Sequence, residues 1–150
     1  MRWFQHAVAS AVVTMGAVLT AQCTGAGTGN EGGSGTSGLR VMATSQELMH
    51  AIVIPSSDVV FKLAGEQPKS DDDWQKVRFQ ALALAESGNL LMMPGRGPDS
   101  TTWNQMSIAM MDAASAAVKA ADSKNIEALD TASNAIYESC DTCHNKYMKK

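Results

Sequence analysis

Cys140-Asp141-Thr142-Cys143-His144 lies close to the C-terminus of a 150-residue chain, and its spacing decides how the rest is read. Two thiols three residues apart, followed at once by a histidine, form the C-x-x-C-H pattern of covalent porphyrin attachment. The thiols can reach the two vinyl groups of one ring. The histidine then comes beneath that ring and can bind its iron. On a helix, Cys140, Cys143, His144 and Tyr147 fall at i, i+3, i+4 and i+7, which is one face. Ile126, Leu129, Ala132, Ile136 and Tyr137 continue that face upstream. The motif is therefore expected on the core side of an amphipathic helix, with a haem c against it.

A bare C-x-x-C also suits a disulfide, half a zinc site or a thioredoxin-type redox pair. Zinc needs further ligands, and Cys23, His6 and His50 stand at no useful spacing. A thioredoxin-like centre opens a helix within a βαβ unit, whereas these cysteines close the chain. The adjacent histidine and an export signal favour haem.

That signal occupies residues 1–23. Arg2 is followed by an apolar run from Ala7 to Ala21, the n-region and h-region of a secretory leader. The run is too short for a comfortable membrane span. A periplasmic destination is expected, which agrees with thioether attachment to exported apoprotein. Leu19-Thr20-Ala21-Gln22-Cys23 loosely resembles a lipoprotein signal, with Cys23 to be lipidated, although Gln22 departs from the usual small residue. Ordinary cleavage after Ala21 or Ala26 is the alternative. Residues 24–38 are nearly all Gly, Ser, Thr and Asn, a composition expected to serve as a flexible tether. Residues 39–150 remain for one folded domain. Removing Arg2 changes the formal charge from −3 to −4 (−3 − 1), which argues against nucleic acid as a partner.

Four amphipathic segments fill that domain. The first runs from about Val41 to Leu63, with Met42, Leu48, Met49, Ile52, Val59, Val60 and Leu63 at helical spacing. Pro55 should bend or break it, and Ser56-Ser57-Asp58 could cap a restarted half. Ser70-Asp71-Asp72-Asp73 opens the second helix, which carries Trp74, Val77, Ala81, Leu84, Ala85 and Leu91; Gly88 is a weak point near its end. Pro94-Gly95-Arg96-Gly97-Pro98 stops it. Ser100 opens the third, with Trp103, Met106, Met110, Ala114, Ala117, Val118 and Ala121 along one side. Asp122 or Ser123 separates it from the fourth, which bears the motif. Short connections predict an all-α, antiparallel up-down-up-down four-helix bundle with haem at one end.

A C-terminal C-x-x-C-H-x-x-Y on the last helix of such a bundle resembles the class II cytochromes c, the cytochrome c-prime family. The likeness is strongest at Cys140-Asp141-Thr142-Cys143-His144-Asn145-Lys146-Tyr147. Weaker echoes are Leu48-Met49 followed by Pro55, Trp74 with Arg78, and Leu90-Leu91-Met92-Met93-Pro94-Gly95-Arg96. The resemblance implies His144 as axial iron ligand, Cys140 and Cys143 as thioethers, and a function set by the sixth ligand. Low-spin members take a methionine from the first helix and carry electrons. High-spin members leave the iron five-coordinate and bind nitric oxide or carbon monoxide.

In an antiparallel bundle, Met42, Met49, Met92, Met93 and Met106 all lie at the haem end. Met49 roughly matches His144 in height, while Met42 would sit ~10 Å nearer the rim. Met49 is the expected sixth ligand, although most of the ten methionines must be core filler. His50 turns ~100° away from Met49, toward the surface. Trp74, Trp103 and Tyr137 read as core. Arg96 could pair with a haem propionate or be solvated. Lys146, Lys149 and Lys150 suit the negative end of the last helix dipole and a basic docking rim. The expected protein is a non-enzymatic one-electron carrier whose partners are redox proteins, with a homodimer left open and a membrane tether through Cys23. The alternative is a five-coordinate gas-binding protein.

Overall fold

The computed structural model describes residues 38–148. The leader, nearly all of the tether and the lipid-anchor reading of Cys23 lie outside the described residues, as do Lys149 and Lys150. The described residues form helices and turns with no strand. Helix α1 spans Ser45–Glu66, α2 Asp71–Leu91, α3 Thr101–Asp122 and α4 Ile126–Tyr147.

Helix α1 starts later than its apolar pattern predicts. Thr44 and Glu47 form a reciprocal capping box: the Glu47 N–H donates to Thr44 Oγ1 at 3.1 Å, and the Thr44 N–H donates to Glu47 Oε2 at 2.8 Å. That pairing satisfies two end donors at once and outweighs the apolar Val41 and Met42 before it. Met42 accordingly lies outside the helix and is 79 % exposed.

Pro55 does not break α1. A π-helical stretch, Met49–Val53, precedes it, and the Ile54 N–H bonds to the carbonyl of Met49. Proline lacks the N–H that a regular helix needs, and its ring crowds the carbonyl four residues back. Widening the preceding turn to i−5 bonding carries the chain past both problems. The serines that follow are not caps, because Ser56 and Ser57 are buried. The Ser57 hydroxyl is satisfied inside the helix, donating to the Ile54 carbonyl at 3.1 Å.

The turns follow local chemistry. Gln67, in the left-handed region at φ 59°, ends α1. The Ser70 side chain accepts from the Asp73 N–H at 3.2 Å and starts α2. Lys124 at φ 50° reverses the chain after α3, and Asn125 caps α4 by accepting from the Ala128 N–H at 3.0 Å. The expected role of Ser100 passes to its neighbour. Ser100 already has helical dihedrals and makes no cap bond. Asp99 Oδ1 instead accepts from the N–H groups of Thr102 at 2.8 Å and Trp103 at 3.1 Å.

Val60, Val77, Ala81, Leu84, Ala114, Ala117, Leu129 and Ile136 are fully buried. Burying a Val, Leu or Ile contributes roughly 1.5–3 kcal/mol, so this column dominates the cohesion of the helices. Alanines on α3 leave little side chain between it and its neighbours. Gly88 has become a close-approach site, since a methyl group there would overlap Met111. Two expected core residues are not core: Ile126 is 41 % and Tyr137 63 % exposed. Tyr137 follows Ile136 and is turned ~100° from it, off the buried stripe.

Contacts between the helices collect the two sets of ends. The Ser45 hydroxyl donates to the Arg96 carbonyl at 2.9 Å, and the Trp103 indole N–H donates to the Leu91 carbonyl at 2.7 Å. The Tyr147 hydroxyl donates to Asp99 Oδ2 at 2.6 Å. The start of α1, the end of α2, the start of α3 and the end of α4 therefore meet. At the far end, Arg78 pairs with Asp122 and Lys124 with Asp71, each at 2.7 Å.

Candidate functional site

The last three turns of α4 bring the motif to that meeting point. Cys140 and Cys143 are half-buried free thiols, and His144 is exposed at the mouth of a cleft. Two adjoining cavities make the cleft, of about 210 Å³ and 520 Å³. Met49, Ile54, Trp103, Cys143 and His144 line both. Cys140 lines the smaller, together with Val53, Ser57, Phe61, Leu91, Met106, Ser107, Met110 and Tyr137. Ser45, Gln46, His50, Pro98, Tyr147 and Met148 complete the larger.

This arrangement follows from the local structure. The motif's i, i+3, i+4 spacing puts its three groups on the face of α4 turned toward α1 and α3. The π-helical stretch begins at Met49 and presents it to the same cleft. Small Ser57 and Ser107 leave the inner cavity open where larger side chains would fill it.

The donor set and the walls fit a flat, largely apolar iron porphyrin. Two thiols and an imidazole stand along one side, and a thioether and an isoleucine lie in both cavities. Ile54, Tyr137 and Met148 are large apolar side chains left 40 %, 63 % and 63 % exposed, all at the walls of this cleft. Together the two volumes fall in the range of cofactor sites, roughly 300–1,000 Å³. Among the described residues, no three His, Cys, Asp or Glu side chains converge as a bare metal-ion site would require.

Burial pushes the Cys140 thiol above its usual range, and burial followed by the Cys140 charge does the same for Cys143. Such thiols are protonated and sluggish as nucleophiles at neutral pH, unlike the activated pair of a thiol–disulfide centre. The Tyr147 phenol is pushed up to about 12, first by burial and then by its bond to the Asp99 carboxylate. Asp99 is held low, mainly by that same bond.

The other expected residues divide clearly. His50 is exposed and touches only the larger cavity, while Met106 touches the smaller but not the larger. Met92 and Met93 line neither of these two cavities. Arg96 also lies apart, facing a separate hollow with Thr44 and Glu47. Its Nε and Nη1 are buried and find no partner among the described residues. Sequence reasoning missed Asp99, Ile54, Ser57 and Phe61. Only Asp99 left a signal, as an aspartate directly after Pro98 and before a helical run.

Compared with family models, with curated proteins and with solved structures, the chain matches none.

Proposed function

We propose that the described helices form an antiparallel up-down-up-down four-helix bundle and that the cleft holds one covalently attached haem c. Cys140 and Cys143 would hold it through their sulfurs, and His144 and Met49 would bind its iron. The function proposed is one-electron transfer with no substrate of its own, in the periplasm, between redox partner proteins. The observation that carries this is the convergence of Met49, Cys143 and His144 on both cavities of one apolar cleft.

The bound group would supply the ferric–ferrous couple. The chain's own residues do the rest. Cys140 and Cys143, on successive turns, fix the ring's position along α4. His144 would present an imidazole nitrogen, and Met49 a soft sulfur that favours the reduced state and raises the potential. Ile54, Phe61, Trp103 and Tyr137 exclude water from the ring, which keeps the ligation constant and the reorganisation on transfer small.

The test is an optical spectrum of protein matured with haem, oxidised and reduced, with and without carbon monoxide. A low-spin spectrum unmoved by carbon monoxide is the expected result. A high-spin spectrum that shifts would replace the carrier with a gas-binding protein. Failure to attach haem, where a control c-type cytochrome matures, would leave the thiols as a redox pair.

A further inference from the structure

We propose that Asp99 and Tyr147 form a strap that fixes the last turn of α4 and, through it, the imidazole of His144. The proposal rests on the haem reading above. Helix C-termini leave their last carbonyls without partners and fray readily. The turn from His144 onward is exposed at His144, Asn145 and Lys146. Within it, the Met148 N–H closes back on the His144 carbonyl at 2.9 Å.

What ties this turn to the rest of the molecule is Tyr147. Its hydroxyl donates to Asp99 Oδ2 at 2.6 Å. Its ring meets Trp103 edge-on, with centroids 5.1 Å apart and planes at 64°. Neither partner is free to follow a fraying helix. The other oxygen of Asp99 is held by the Thr102 and Trp103 N–H groups. Trp103 is held by the Leu91 carbonyl and lies against Gly97, where a methyl group would collide with its ring. The anchor therefore belongs to the connection between α2 and α3.

Tyr147 lies three residues beyond His144 and shares its face. Cys143 secures the residue before the imidazole, and the strap secures the turn after it. Asp99 and Tyr147 are positioning residues in this scheme: neither would bind the iron, and Tyr147 borders the larger cavity with its ring held on Trp103. Their bond is charge-assisted and short, the kind that carries more than an ordinary surface contact.

The experiment compares the parent holoprotein with Tyr147→Phe, Asp99→Ala and Asp99→Asn. Tyr147→Phe keeps the ring on Trp103 and loses only the hydroxyl. Asp99→Asn can still cap α3 and hydrogen-bond the phenol, so it serves as the conservative rescue. Amide exchange is followed by NMR, alongside the reduction potential and the absorption spectrum. In Tyr147→Phe and Asp99→Ala the Met148 amide should exchange about tenfold faster, while amides from Leu129 to Ile136 hold. The potential should shift in both variants and stay near the parent's in Asp99→Asn. Unchanged Met148 exchange in Tyr147→Phe would overturn the strap. Faster exchange with an unmoved potential and spectrum would overturn its role in positioning His144. If the parent carries no covalent haem, the haem reading falls by itself. The exchange comparison, with NMR relaxation of the His144 ring, then still decides whether the strap positions the imidazole.

Discussion

Met42 and Met49 share one apolar stripe in the sequence, yet only Met49 reaches the cleft, because the Thr44–Glu47 box starts the helix between them. Met49→Leu should cost under ~1.5 kcal/mol, since the two side chains are nearly isosteric. It should leave haem attached but turn the protein high-spin, lower its potential and admit carbon monoxide. Met42→Leu should change none of these, and the same spectra and a melting curve check both. Spacing alone proposes Cys140, Cys143 and His144, whereas Met49 is proposed from its height in an antiparallel bundle and from the family resemblance. Asp99 was not legible, because choosing between it and Ser100 requires the dihedrals of Ser100, which already belong to the helix. Tyr147 offers a second test. Its folded proton is held more tightly than at the ordinary value of 10.0, so its contribution is complete below that pH and lost as pH rises through about 12. Asp99 works in the opposite sense: its contribution is present above 3.8 and lost as pH falls through its lowered folded value. Alkaline melting curves should fall between about 10 and 12 for the parent, with the gap to Tyr147→Phe closing over that window.

At the scale of elements, the four helices could be read from their apolar periods, while the π-helical stretch could not. Pro55 announces a disturbance in α1, but its form depends on whether neighbours hold both halves in place, which only packing decides. Here Leu48 and Val53 on one side and Val60 and Ala64 on the other are all buried, so the helix widens and stays continuous. Deleting Ala51 should restore regular geometry while keeping Met49 near its present orientation relative to Val60, because the π turn absorbs one extra residue. Helicity by circular dichroism and, on the haem reading, the low-spin spectrum should both persist. Two glycines are sites of close approach. Gly97→Ala meets the Trp103 ring, which its bond to Leu91 holds in place, and should destabilise by about 1–3 kcal/mol. Gly88→Ala meets Met111 close to its backbone and crowds the Ser107 carbonyl, so thermal melting should show it destabilised, with a helix-propensity gain of about 1 kcal/mol offsetting part of the loss.

For the whole molecule, α1 is long and apolar enough by composition to cross a membrane, yet it buries Leu48, Val53, Val60 and Ala64 against its neighbours. Membrane attachment is proposed instead through Cys23. Cys23→Ser should release the protein from membranes without altering the haem spectrum, as fractionation and mass spectrometry of the N-terminus would show. The two ends of the helices are also joined by different physics. The cleft end relies on bonds to the Leu91 and Arg96 carbonyls and on the Tyr147–Asp99 pair. The far end relies on Arg78–Asp122 and Lys124–Asp71, exposed ion pairs that contribute ~0–1 kcal/mol each and weaken with ionic strength. Concentrated salt should therefore loosen residues 71–78 and 122–126 first, leaving the cleft closed. A halophilic medium would select for new apolar contacts at that far end and leave the cleft end unchanged.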